Sequence, residues 1–271
     1  MKRNAIVRII LYSLVALLLI ALLVVGILED GFHFSWSIGS GTVVENEASV
    51  DAGQVKKIQI NWVAGNVEIQ TGDVEQITFR ETASGSIEDP MVYNFKNGVL
   101  ELNYSKGAIR CGIDATVQKD LLVIVPQGGN GRELGIDGAG LDITVEGLTI
   151  QEMEIDGADA NLNFTGNLGE LSINGADTSL DFSGSLKELS IDGASCQAKL
   201  DCTTAPDSIS MDGMDCDLDI TLPGNAGFQA TLDGLDCELR CSESGNAHFY
   251  GNGHCKIDVS GMACHVEILY K

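Results

Sequence analysis

Between residues 133 and 241 apolar and polar residues alternate in short runs, and the runs repeat. In "LSINGADTSLDF" (171–182), "LSIDGASCQAKL" (189–200) and "ISMDGMDCDLDI" (209–220), two alternating segments flank an Asp-Gly or Asn-Gly pair. Leu171 and Ile173 precede one such pair, and Thr178, Leu180 and Phe182 follow it. Period-two alternation predicts a strand with one buried face on each side of a turn. The pairs begin at Asp137, Asp156, Asn174, Asp192, Asp212 and Asp233, a period of about nineteen residues of the kind that builds stacked repeats. The glycine is expected to supply the positive φ of the turn.

Two architectures fit this unit: an antiparallel meander of hairpins, or a coil stacked in parallel on its neighbours. The near-identical register of successive repeats favours stacking, which places like residues over one another about 4.8 Å apart. The expected fold is therefore all-β, a two-sheet parallel β-solenoid of about 19-residue coils. Segments 57–70, 76–81, 92–105 and 120–126 also alternate or run apolar, with Asn97-Gly98 as a hairpin turn, and read as irregular opening coils and a cap. "GNGHCKIDVSGMACHVEIL" (251–269) closes the array, with Ser260 in the Asp position. The last coil is then expected to leave an unpaired edge close to the C-terminus, where a second copy could stack unless Lys271 blunts it.

The N-terminus follows a different pattern. Residues 9–28, "IILYSLVALLLIALLVVGIL", carry no charge and span roughly 30 Å as a helix, which predicts one transmembrane helix ahead of the β domain. Lys2, Arg3 and Arg8 precede it and Glu29 and Asp30 follow, so the positive-inside bias keeps the N-terminus cytoplasmic. A cleaved signal peptide is the competing reading, but no A-x-A site follows the apolar run. The expected organisation is a cytoplasmic tip and signal anchor at 1–28, a Gly/Ser-rich acidic stalk at 29–53 and the solenoid at 54–271. The protein would then be single-pass in the cell membrane with its C-terminal domain extracytoplasmic.

With 16 basic against 39 acidic residues the net charge is −23, which excludes nucleic acid and anionic lipid surfaces as partners. Eight cysteines in an exported domain raise the question of disulfides. Aligned on the turn, Ala160, Thr178, Cys196, Cys216, Cys237 and Cys264 share a column. Leu162, Leu180, Ala198, Leu218, Leu239 and Val266 form the next, so the cysteines face the core. Three readings follow, in descending order: core packing as small apolar side chains, disulfides between stacked neighbours such as Cys196–Cys216 or Cys216–Cys237, and a thiolate metal site, which lacks any C-x-x-C spacing.

The outward residues at the turn are acidic. Asp137, Asp156, Asp192, Asp212 and Asp233 form one file, and Asp159, Asp177, Asp215 and Asp236 a second. The plain reading is that aspartate serves the turn and water solvates it. The alternative is that Asp156, Asp159, Asp177, Asp212, Asp215, Asp233 and Asp236 offer carboxylates to Ca²⁺ between coils; no other cofactor is indicated.

The residues "IQINWVAGNVEIQ", "LLVIVP" and the iterated coils ending in "YGNGHCKIDVSGMACHVEI" resemble the bacterial putative-adhesin domain family, a domain of unknown function built on a β-solenoid, over residues 50–271. The resemblance implies a membrane-anchored envelope protein of the adhesion or envelope-stress accessory kind and carries over no catalytic residue. A glycan-active β-helix enzyme is the catalytic alternative, and a self-assembling or Ca²⁺-binding surface protein another. Coils 133–241 hold only Lys187, Lys199 and Arg240 as basic residues and no Trp or Tyr, while His33, His248, His254 and His265 lie outside them. The expectation is a non-enzymatic binding or scaffold protein whose partner is an envelope protein or wall glycan.

Overall fold

A computed structural model describes residues 42–43, 47–83, 90–105, 119–129, 131–224 and 226–271. One compact unit takes in residues 39–106 and 117–271; the other, 1–38 with 107–116, lies outside the described residues, as does the membrane helix expected at 9–28. Among the described residues no helix is long and apolar enough to cross a membrane.

The described chain is all-β. Its opening part comprises β1 (Thr42–Val43), β2 (Glu47–Asp51), β3 (Lys57–Gly72), β4 (Gln76–Ala83), β5 (Val92–Lys96), β6 (Val99–Asn103) and β7 (Lys119–Pro126). The repeats form β8 (Arg132–Ala176), β9 (Ser179–Ala194), β10 (Gln197–Cys202), β11 (Ser208–Met214) and β12 (Asp217–Leu222). After these come β13 (Phe228–Leu235), β14 (Glu238–Cys241), β15 (Phe249–Tyr250), β16 (Cys255–Met262) and β17 (His265–Tyr270). β8 runs through several corners, and the corner beside each Asp-Gly pair turns on a single left-handed residue, not a hairpin. Asp159 at φ 55° is one of them.

Like residues stack in parallel. Leu162 pairs with Leu180 and Phe164 with Phe182, then Leu180 with Ala198 and Phe182 with Leu200, then Ala198 with Leu218 and Leu200 with Ile220. The segment before each corner forms one row of strands and the segment after it a second, with the apolar residues of both buried between them. Each leucine, isoleucine or phenylalanine so buried contributes about 1.5–3 kcal/mol before ordering costs. Phe164 and Phe182 stack with ring centroids 5.4 Å apart.

The sheet is mixed, not purely parallel. At its start both rows are closed by antiparallel strands: β5 on β6 and β1 on β5 for one row, β4 on β7 and β2 on β4 for the other. β2 falls in the segment expected as a stalk, and it pairs from Glu47↔Arg80 to Asp51↔Gln76. This opening carries its own fixings. The Lys119 Nζ lies 3.3 Å from a Glu81 carboxylate oxygen, with side-chain exposures of 3% and 0%. Trp62 Nε1 donates to the Lys119 carbonyl at 2.8 Å.

Past Leu222 the spatial order departs from sequence order. β16 and β17 sit directly on β11 and β12, in the registers Met211↔Val259 and Leu218↔Val266. β13 and β14 then stack on β16 and β17, in the registers Leu232↔Val259 and Leu239↔Val266. The C-terminal coil is interior, and the terminal coil of the described residues is 228–241. The unpaired edge expected at the C-terminus is therefore displaced to β13 and β14. Lys271 donates its backbone N–H to Leu222 O at 3.1 Å and pairs with Asp201.

Candidate functional site

Chemistry-bearing side chains gather where the chain turns from one row to the other. At this corner the Asp-Gly glycine does something other than expected. Gly138, Gly157, Gly175, Gly193, Gly213 and Gly234 do not have positive φ. A Cβ on any of them would lie well under 3.0 Å from the backbone carbonyl oxygen of the coil beneath. The acceptors run Trp62 for Gly138, Gly138 for Gly157, and onward to Gly193 for Gly213 and Gly261 for Gly234, tracing the same spatial order as the strand pairing. Glycine is therefore required by close backbone approach. The left-handed residue lies two positions later: Asp159, Asp177, Ser195, Asp215, Asp236 and Ala263, with φ between 53° and 58°. Asp and Asn tolerate that region best among residues with a side chain, which gives the second acidic file a backbone reason to exist.

In spatial order both files are interrupted. The first runs Asn61, Asp137, Asp156, Asn174, Asp192, Asp212, Ser260 and Asp233; the second has Ala263 between Asp215 and Asp236. Asn174 Nδ2 donates to Asp156 Oδ1 at 2.9 Å, and Gln59 Nε2 donates to Asp137 Oδ2 at 3.1 Å. Amides thus separate carboxylates at some levels. Even so, burial, then the neighbouring Asp156 and Glu154, push the Asp137 carboxyl up to about 6. Of the seven aspartates named for Ca²⁺, Asp159 and Asp177 occupy the same position one coil apart, whereas Ser260 and Ala263 part Asp212 and Asp215 from Asp233 and Asp236. Among the described residues no group of three or more His, Cys, Asp or Glu side chains converges as a metal cage.

Inside the same corner the cysteines form a column, and its order is Thr178, Cys196, Cys216, Cys264, Cys237. The expected neighbour pair Cys216–Cys237 is thus overturned by the inserted C-terminal coil, whose Cys264 lies between them. Thr178 Oγ1 donates to Cys196 Sγ at 3.2 Å. Burial, with Cys196 beside it, pushes the Cys216 thiol above its ordinary range. Each sulfur also lies against the carbonyl of its own corner, at 3.7 Å from Ala194 O, 3.5 Å from Met214 O, 3.7 Å from Met262 O and 3.9 Å from Leu235 O. Cys196, Cys216 and Cys264 are buried and Cys237, at the end, is half-buried; all are free thiols. Burial, with the neighbouring thiols, pushes Cys264 up to about 12. His254 and His265 point away from this column. His254 Nε2 lies 3.1 Å from Asp207 Oδ1, and His265 Nδ1 lies 3.8 Å from Glu238 Oε2.

Outside the corner lies a feature that sequence reasoning missed. Met262 is register-paired with Met214 on one side and with Leu235 on the other. Their exposures are 46%, 52% and 59%, where the earlier coils carry Ala139, Ala158, Ala176 and Ala194. The ridge leads to the outer edge of β13 and β14. There β15 pairs only at Phe228↔Tyr250 and Gln229↔Phe249, Ala230 N–H donates to His248 O at 2.8 Å, and Cys241 bridges Gly245. Leu232 and Cys237 are partly buried, and Phe249 is exposed. The available signal was length: 242–254 is long for a corner, long enough for the chain to recross a coil. The larger clefts are open. One of about 330 Å³ is lined by Thr203, Thr204, Pro223, Asn252 and His254, and one of about 300 Å³ lies across Asp181, Lys199 and Asp219.

No protein-family model matches the sequence, and no curated protein does. Solved structures do. A putative cell adhesion protein from Clostridium sporogenes is similar at 13% identity over 85% of this chain and 100% of its own, with a TM-score of 0.34. A putative adhesin from Bacteroides fragilis is similar at 11% identity over 85% of this chain and 98% of its own, with a TM-score of 0.47.

Proposed function

We propose that this is a non-enzymatic scaffold protein of the cell envelope. A β-solenoid is held outside the membrane by residues 9–28 and engages a protein partner at the outer edge of β13 and β14. Adhesion or an envelope-stress accessory role is what the family resemblance implies. One observation carries the reading: among the described residues, the terminal coil has no ladder partner on its outer side beyond Gln229, except at Ala230 and Cys241. A half-open strand edge beside an exposed apolar ridge is a template for an added strand. Asp233, Asp236 and Glu238 border that edge, and the whole chain carries −23, so a basic extended segment is favoured over a second copy of the chain.

A photocrosslinking residue at Leu235 of the full-length protein in intact cells tests this, with the same residue at Asn161, mid-array, as control. Protein adducts are expected from position 235 alone, and Asp233→Lys with Asp236→Lys should remove them. Equal yields at both positions, or glycan adducts only, would reject the edge as the binding element, and a self-adduct would replace the partner by a second copy. Titrating Ca²⁺ into the same protein tests the stacked Asp159 and Asp177; no heat and no shift in melting temperature would remove calcium from the reading.

A further inference from the structure

We propose that the corner column of thiols binds soft monovalent d¹⁰ cations, Cu(I) foremost, one ion between Cys196 and Cys216 and one between Cys264 and Cys237. Met214 and Met262 act as the surface relay through which the ions enter. The spacing argues for this coordination over the alternatives. Strands stack about 4.8 Å apart, and two metal–sulfur bonds of about 2.3 Å placed end to end span about 4.6 Å. The spacing between coils therefore matches the span of a linear dithiolate. A disulfide wants Cβ atoms about 3.8 Å apart, so it would have to draw two coils together by about 1 Å. Tetrahedral zinc needs four converging donors, and a single column supplies donors along one line only.

Ligand softness agrees with geometry. Thiolates and thioethers together select Cu(I) among available cations. Four of the five column positions from Thr178 to the terminal coil are cysteine, and the two exposed methionines are register partners on the two coils that carry Cys216 and Cys264. Half-buried Cys237 leaves the column accessible at its terminal end. The acidic files flanking the corner raise the local concentration of any cation. The chemistry balances without an oxidant: each M⁺ displaces the protons of two thiols, giving M(SR)₂⁻ and two H⁺, with no electron transferred.

The test uses the reduced full-length chain without oxygen, challenged with the Cu(I)–bicinchoninate complex and, separately, with Ag⁺. Withdrawal of two equivalents is expected. Cys196→Ala with Cys216→Ala should remove one, as should Cys237→Ala with Cys264→Ala, and all four together should remove both. Alanine already stands in this column at Ala160, so circular dichroism should be unchanged; should the quadruple variant fail to fold, the two pair variants carry the test. With both thiols protonated, affinity for each ion should rise about a hundredfold per pH unit, since two protons leave. Met214→Leu with Met262→Leu should slow loading severalfold at unchanged stoichiometry. No withdrawal of Cu(I) would overturn the proposal. So would two equivalents retained by the quadruple variant, which keeps Cys111, Cys202, Cys241 and Cys255, or a mass lower by two hydrogens per pair, which would mean disulfides.

Discussion

From β8 to β12 each coil rests on the coil made just before it. From β13 onward the chain skips a level, turns back, and fills the gap with its last residues. The side-chain pattern is nearly the same in both regions: Leu189 and Ile191 pack inward as Ile257 and Val259 do. Only the neighbours differ. A periodic pattern thus dictates which face is buried and leaves the stacking order to the lengths of the connections.

Shortening the chain in each region should expose this difference most strongly. Removing 255–271 takes away an interior level, leaving β11 and β12 without their upper neighbours, and β13 and β14 without the strands they stack on. Loss of a single cooperative thermal transition is expected. Removing 179–196 deletes one whole coil, because Ser179 and Gln197 are register partners. The remaining coils should restack with a melting temperature only a few degrees lower, as nearest-neighbour repeat energetics imply. Equal damage from both deletions would mean that the coils are not interchangeable.

A smaller effect is expected at the glycine column. In Gly193→Ala the new methyl would meet the Gly175 carbonyl oxygen, and the Cys196 sulfur at 3.1 Å, with coils fixed on both sides. A loss of about 3 kcal/mol or more in urea unfolding is expected. Gly234→Ala makes the same collision with Gly261 O, but its coil is terminal and can lift away, so about 1 kcal/mol is expected there. A reversed order would contradict the placement of coil 228–241 at the end.

The smallest effect concerns charge. Asp137 and Asp156 are neighbours in the first file, whereas Ser260 parts Asp212 from Asp233. The Asp137 carboxyl titrates near 6 in the folded chain against an ordinary 3.8. Its penalty is therefore absent below the lower value, grows as pH climbs between the two, and is complete above the higher one. Asp137→Asn should stabilise by about 1 kcal/mol at pH 7 and low salt, discounted for a group half open to solvent, and by nothing near pH 3. Asp233→Asn should change stability within error at either pH, as unfolding curves at the two pH values would read.

These contrasts mark what was legible in the sequence. The alternation at Leu171, Ile173, Leu180 and Phe182 sufficed for strands and for their buried face, and Asn97-Gly98 for the hairpin joining β5 to β6. The inward cysteines followed from the same parity. The corner glycine was assigned the wrong duty, because Asp-Gly is so often a hairpin turn that the left-handed residue two places later went unnoticed. The ridge of Met214, Met262 and Leu235 was invisible for a different reason. Its members are far apart in sequence and meet only through a crossing that leaves no trace in side-chain periodicity. The antiparallel strands that close the start were hidden likewise, since β2 and β4 alternate as the parallel strands do.

The position of β16 and β17 also bears on how the protein is made. Residues 255–271, which belong in the interior, leave the ribosome after their neighbours on both sides already exist. Until then Phe228–Cys241 has no surface to dock on, and a chain cut short by even one coil would present two raw sheet edges to proteases instead of one. The array would then close only once residues 255–271 have been made, and chains that stop before them would stay open to degradation.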